Sequence, residues 1–141
     1  MESMSDTITT TGAVTNIRLT VSDPARSRDF YTSLLGFLVM FETPDGFLVT
    51  NGELFLGLRT APDPVQTPTD DLFNPSRIGL ARLTFSVASR SELEKALVLC
   101  KLRGVPCDDI VDHGPAIGFY SLLLHDPDGI PIELSARYPQ D

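Results

Sequence analysis

Apolar and polar residues alternate along 13–21, where Ile17, Leu19 and Val21 interleave with Asn16, Arg18 and Thr20. A period of two marks a strand with one face in a core and the other open. Asp23-Pro24 then offers a helix cap and a first-turn proline, with Ser22 an alternative cap. Phe30, Tyr31, Leu34 and Leu35 supply an apolar stripe that Gly36 should close. Three short apolar runs follow at 37–41, 47–50 and 53–59, separated by a Thr-Pro-Asp-Gly turn and an Asn51-Gly52 hairpin signal. The order predicted is β-α-β-β-β.

Residues 60–79 break this pattern, with Pro62, Pro64, Pro68 and Pro75 set among Asp63, Asp70 and Asp71, and read as a linker. The pattern then restarts. Leu83, Phe85 and Val87 alternate with Arg82, Thr84 and Ser86, and Ser89-Arg90-Ser91-Glu92 has the form of a capping box ahead of Leu93, Ala96, Leu97 and Cys100. Gly104 should end this second helix. Runs at 105–111, 116–124 and 130–136, with Asp-Pro-Asp-Gly at 126–129, complete a second β-α-β-β-β unit. Arg18-Leu-Thr-Val-Ser is echoed in Arg82-Leu-Thr-Phe-Ser, which supports a repeat less strongly than the order of elements does. The fold class predicted is α+β: a flexible tail over 1–12, then one domain over 13–137. Modules 13–59 and 80–137 form curled mixed sheets around a cleft.

Composition narrows the function classes. A chain of 141 residues suits one domain and a core that needs no metal or disulfide staple. Its 19 acidic against 11 basic residues, a net charge of -8, argue against sequence-independent nucleic-acid binding. No apolar run approaches the ~20 residues of a membrane span, and the polar N-terminal residues lack the form of a secretory signal. A cytoplasmic protein is expected, with no membrane partner. Cys100 and Cys107 lie seven apart around a Gly-Val-Pro turn, in neither a metal-binding nor a redox spacing, and read as inert apolar side chains.

The run Val21-Ser-Asp-Pro-Ala-Arg-Ser-Arg-Asp-Phe-Tyr-Thr-Ser-Leu-Leu-Gly-Phe and the run His125-Asp-Pro-Asp-Gly-Ile-Pro-Ile-Glu-Leu resemble the vicinal oxygen chelate superfamily. That group contains glyoxalase I, extradiol dioxygenases, fosfomycin-modifying enzymes and bleomycin-resistance proteins. The resemblance covers roughly residues 13 to 137 and implies paired β-α-β-β-β modules and a homodimer. In metal-binding members, ligands come from the first and last strands of each module. Carried over position by position, these fall on Asn16, Gly57, Arg82 and Glu133, of which only Glu133 keeps the family's residue type. Strand parity puts each opposite an apolar row, a placement that solvent faces would share.

A guanidinium about 4 Å from a doubly charged ion is repelled by about 8 kcal/mol at a surface-like dielectric, twice the unit-charge value. No metal or other cofactor is therefore expected, and Arg82 should take the vacated place and fork onto Glu133. The first functional reading is a glyoxalase/bleomycin-resistance-like protein that binds a small organic molecule, anionic or aromatic, without the superfamily metal. Asn16, Arg18, Phe55, Arg59, Arg82 and Glu133 are its ligand-binding candidates. The second is a metal-dependent lyase or dioxygenase with a rearranged ligand set, or one using Glu133 as general base beside Arg82. Against that role, a carboxylate next to a guanidinium is a weak base. His113, in a loop at the mouth of the second sheet, is the candidate for proton transfer, ahead of His125 beside the turn. The third is an interaction domain presenting the linker 60–79 to a partner protein.

Overall fold

The computed structural model describes residues 8–140; residues 1–7 of the expected tail lie outside that range. The first module runs β1 (Asn16–Thr20), α1 (Pro24–Ser33), β2 (Leu38–Thr43), β3 (Gly46–Thr50) and β4 (Phe55–Arg59). The second runs β5 (Leu83–Ser86), α2 (Arg90–Arg103), β6 (Val111–Asp112), β7 (Phe119–His125) and β8 (Pro131–Arg137). Each module forms a four-stranded mixed sheet, ordered β1-β4-β3-β2 and β5-β8-β7-β6. The first and last strands pair in parallel and the rest antiparallel. The architecture is α+β, as the periodicity predicts, and the two sheets remain open.

Local chemistry explains most element ends. Asp23 accepts from the Ala25 and Arg26 amides at the start of α1, with Pro24 in the first turn. The helix stops at Ser33, three residues before Gly36. Leu34 forms the cap, and Gly36 at φ 77° turns the chain so that the Phe37 amide reaches the Tyr31 carbonyl at 3.0 Å. Gly104 ends α2 at φ 68°, as read. The capping box does not form: the Ser89 and Ser91 hydroxyls pair at 2.8 Å, and the Glu92 carboxylate lies 3.5 Å from Lys95 Nζ. Between 105 and 111 regular pairing is reduced to the two-residue β6 and a bridge from Cys107 to Leu124, because Pro106 has no amide proton to donate.

The repeat is real in structure but the sequence echo is out of register. The Val21 amide donates to the Arg59 carbonyl at 2.8 Å, and in the second module the Val87 amide donates to the Ser135 carbonyl at 2.9 Å. Val21 is therefore the counterpart of Val87, and Asn16, not Arg18, that of Arg82. The echo is displaced by two residues, about 6.6 Å along a strand, which preserves the face but shifts the row.

The core fills with Leu19, Phe47, Val49, Leu56 and Leu58 from one sheet and Leu122, Leu124, Ile132 and Leu134 from the other, with Tyr31 and Leu93 fully buried. Edge-to-face contacts run from Tyr31 through Phe37 to Phe85, with centroids 5.9 and 5.6 Å apart, and join the modules. Tyr31 donates to Asp126 at 2.8 Å, and the Ser22 amide donates to Asp128 at 3.1 Å. Residues 60–79 hold one short 3-10 turn at Pro64–Gln66 and are pinned where the Phe73 amide meets the Asp128 carbonyl at 3.0 Å. No described helix is long and apolar enough to cross a membrane.

Candidate functional site

The face of the first sheet turned away from α1 is laid out by register. One cross-strand row reads Arg18, Gly57, Leu48, Phe41; the row on one side reads Thr20, Arg59, Gly46, Thr43, and on the other Asn16, Phe55, Thr50, Leu38. Gly57 sits at the centre of this grid, and Arg18 lies over it: a β-carbon there would stand 3.6 Å from Arg18 Cγ. Phe41 and Phe55 leave 53% and 41% of their surface exposed, and with Leu38 and Leu48 they set an apolar area beside Asn16, Arg18, Thr20 and Arg59. Arg59 is half-buried, and its Nε is buried with no hydrogen-bond partner. Among the described residues neither Arg18 nor Arg59 has a carboxylate within ion-pair distance.

The corresponding face of the second sheet carries Glu133. Its Oε1 accepts from Thr84 Oγ1 at 3.0 Å, and its Oε2 lies 3.4 Å from Arg82 Nη1. Arg82 thus lies against Glu133, but through one nitrogen: the forked contact is absent because Thr84 takes the second oxygen. One same-face row away, Ser121 pairs with Ser135. The Ser121 hydroxyl meets His113 Nε2 at 2.7 Å, and the His113 amide donates to the Phe119 carbonyl at 3.0 Å. His113 therefore lies in the β6–β7 connection, bonded to a serine that sequence reasoning passed over, and shares no hydrogen bond or ion pair with Glu133. His125 ends β7 opposite Pro131, half-buried. Beside this face the Tyr138 hydroxyl donates to Asp112, holding that carboxyl below its usual range and pushing the Tyr138 hydroxyl up to about 12.

The six ligand-binding candidates thus form two sets. Asn16, Arg18, Phe55 and Arg59 share the first sheet, while Arg82 and Glu133 meet on the second. No hydrogen bond or ion pair among the described residues joins the sets. A groove of about 920 Å³ lies elsewhere, on the core side between the β1 and β5 edges, and is lined by Ile17, Phe37, Leu83, Phe85 and Ala96, not by the candidates.

A divalent cation does not fit the four positions carried over from the metal-binding pattern. Gly57 has no donor, Asn16 offers a weak amide, and the single carboxylate already accepts from Thr84 and faces a guanidinium. Among the described residues no three His, Cys, Asp or Glu side chains converge.

Two β-α-β-β-β units, each with its first strand parallel to its last and an open sheet face opposite its helix, define a paired-module class of α+β domains. The family model for the Glyoxalase/Bleomycin resistance protein/Dioxygenase superfamily matches residues 13–134, and the chain belongs to that superfamily. It is 31% identical over 129 residues to the uncharacterized protein YaeR of Escherichia coli (strain K12), covering 86% of this chain and 93% of that protein. The glyoxylase/bleomycin resistance protein/dioxygenase domain from Frankia sp. EAN1pec superposes with TM-score 0.76 at 24% identity, over 91% of this chain and 99% of the other. Lactoylglutathione lyase from Agrobacterium tumefaciens shares the fold, with TM-score 0.68 at 17% identity over 90% and 95% of the two chains.

Proposed function

We propose that this superfamily member binds a small organic molecule on its open sheet faces and does so without a divalent metal. The observation that carries the reading is Arg82 against Glu133 at 3.4 Å, with the other carboxylate oxygen held by Thr84. A cation at Glu133 would have to displace both partners and tolerate a guanidinium in its coordination sphere. The remaining positions, Asn16 and Gly57, return too little donor strength to offset that. The exposed Phe41 and Phe55 beside Arg18 and Arg59 give the first sheet an amphipathic surface of the kind that orients organic ligands.

The test is elemental analysis of the purified protein with thermal melting before and after Mn, Fe, Ni and Zn. A metal bound to the native state at 100 times its Kd would add about 2.7 kcal/mol of stability. The expected result is no stoichiometric metal and no specific rise in Tm for the natural chain. Stoichiometric metal in the natural chain would overturn the proposal and favour a metal-dependent lyase or dioxygenase.

A further inference from the structure

The face around Gly57 has no side chain at its centre, Arg18 lies against that point, and the neighbouring positions differ in chemistry. Arg59 stands one row to one side, Phe55 one row to the other, Leu48 and Arg18 on the remaining two. We infer that this face takes the monocarboxylate of an apolar or aromatic acid, its carboxylate on Arg59 and its body along Leu48 and Gly57 toward Phe55. The inference rests on the cleft-binding reading above and names its ligand class.

Three observations carry it. Arg59 Nε is buried and unbonded, so a desolvated donor has no acceptor within the chain. A buried donor left unmade is costly, and a ligand oxygen would recover that cost. Nε and the adjacent Nη present a fork that matches the two oxygens of one carboxylate. Second, in a chain of net charge -8, Arg18 and Arg59 sit diagonally on one face with no acidic partner among the described residues, a local excess of positive charge. Third, the surface running from Arg59 past Gly57 is apolar: Leu48 and the exposed ring of Phe55 favour a hydrocarbon body, and a singly charged head is cheaper to desolvate there than a phosphate dianion. Arg59 and Phe55 are four residues apart on β4, about 13 Å in an extended strand. That span suits a ring joined to its carboxylate by a chain of a few methylenes, which sets the probe.

The experiment is titration calorimetry of the full chain at low salt with 4-phenylbutyrate, 4-phenyl-1-butanol and phenyl phosphate. The acid should bind at least tenfold more tightly than the alcohol and more tightly than phenyl phosphate. Arg59→Gln should remove that preference. Arg18→Ala, at an exposed side chain, should weaken the acid by a smaller factor and guards against a folding defect in the first variant. Equal binding of acid and alcohol, or acid binding unaffected by Arg59→Gln, would overturn the carboxylate inference and leave cleft binding standing. Tighter phenyl phosphate with the same Arg59 dependence would overturn the singly charged class. No binding of any probe overturns the inference. The broader reading fails only if, in addition, a panel of neutral, cationic and anionic aromatic compounds leaves Tm unmoved.

Discussion

Tyr31→Phe is the sharpest probe of how the two modules are held together. The ring is fully buried and its hydroxyl donates at 2.8 Å to Asp126 Oδ2, in a carboxyl only 4% exposed. Asp126 Oδ1 accepts from the Asp128 and Ile130 amides at 2.9 Å each, and among the described residues Oδ2 has no donor besides Tyr31. Removing the hydroxyl leaves a buried carboxylate oxygen unpaired while the ring packing against Phe30 and Phe37 survives. The cost should be about 2–3 kcal/mol, that of a hydrogen bond to a charged group. In a domain of this size that lowers Tm by about 6–12 °C. Urea melts of the two proteins, followed by circular dichroism at several pH values, measure it.

The pH dependence makes the reasoning refutable. Burial raises the Asp126 carboxyl above its ordinary value, opposed by the Ile130 amide, the Tyr31 hydroxyl and the Asp128 amide. The folded state therefore holds the proton more tightly than the unfolded chain, and this group's contribution falls as pH rises from the unfolded value through the folded one. The phenylalanine variant loses one of the opposing donors, so its Asp126 value rises further. Its deficit should be full above the folded value and should shrink as pH falls through it, where a protonated carboxyl needs the donor less. A deficit below about 0.5 kcal/mol, or one that does not change with pH, would mean that the Tyr31 to Asp126 bond does not hold the modules.

Two further outcomes test the packing. Gly46→Ala should destabilise by at least about 3 kcal/mol, because its β-carbon would fall 1.8 Å from the Leu58 carbonyl oxygen at φ 155°. Gly114→Ala, at φ 88° with nothing within 4 Å, should cost only the left-handed backbone strain of about 1–2 kcal/mol; paired chemical melts read both. In a thiol-reagent assay at pH 8 one cysteine should react in the native protein and two after denaturation. Burial pushes the Cys100 thiol up to about 12, with neighbouring Cys107 adding to the rise, whereas Cys107 is half-buried. Rapid reaction of both in the native state would show that the end of α2 opens.

What could be read from the chain follows from how local each feature is. The Asp23 cap and the Gly104 stop depend on a few adjacent residues, and both hold. That Asn16, Gly57, Arg82 and Glu133 each lie opposite an apolar row follows from period two alone, whereas the contact between Arg82 and Glu133 also needs β5 paired beside β8. The capping box failed because Ser89 found a nearer partner in Ser91, a choice between two local bonds that composition does not rank. The end of α1 at Ser33 depends on Phe37 turning into the core, a tertiary demand. The bonds from Tyr31 to Asp126 and from His113 to Ser121 were not legible. The first needs the modules docked, and the second needs the β6–β7 hairpin closed. An unbonded Arg59 Nε likewise depends on which carboxylates fail to arrive.

The register equivalence gives these differences a common origin. Matching Val21 to Val87 sets Asn16 against Arg82, Arg18 against Thr84, Gly57 against Glu133 and Arg59 against Ser135. At the same four places one module therefore presents two guanidiniums and no carboxylate, while the other presents one carboxylate with a guanidinium and a hydroxyl turned onto it. In the second module the charge is answered within the sheet, since Glu133, its side chain 19% exposed, has a partner for each oxygen. In the first it is not: Gly57 withholds the acid that its counterpart supplies, and the guanidiniums of Arg18 and Arg59 flank the space that is left. A single substitution could not turn the first face into a metal site, because both of its carried-over positions, Asn16 and Gly57, lack a strong donor. The positive charge of the first face is left without an acidic partner among the described residues.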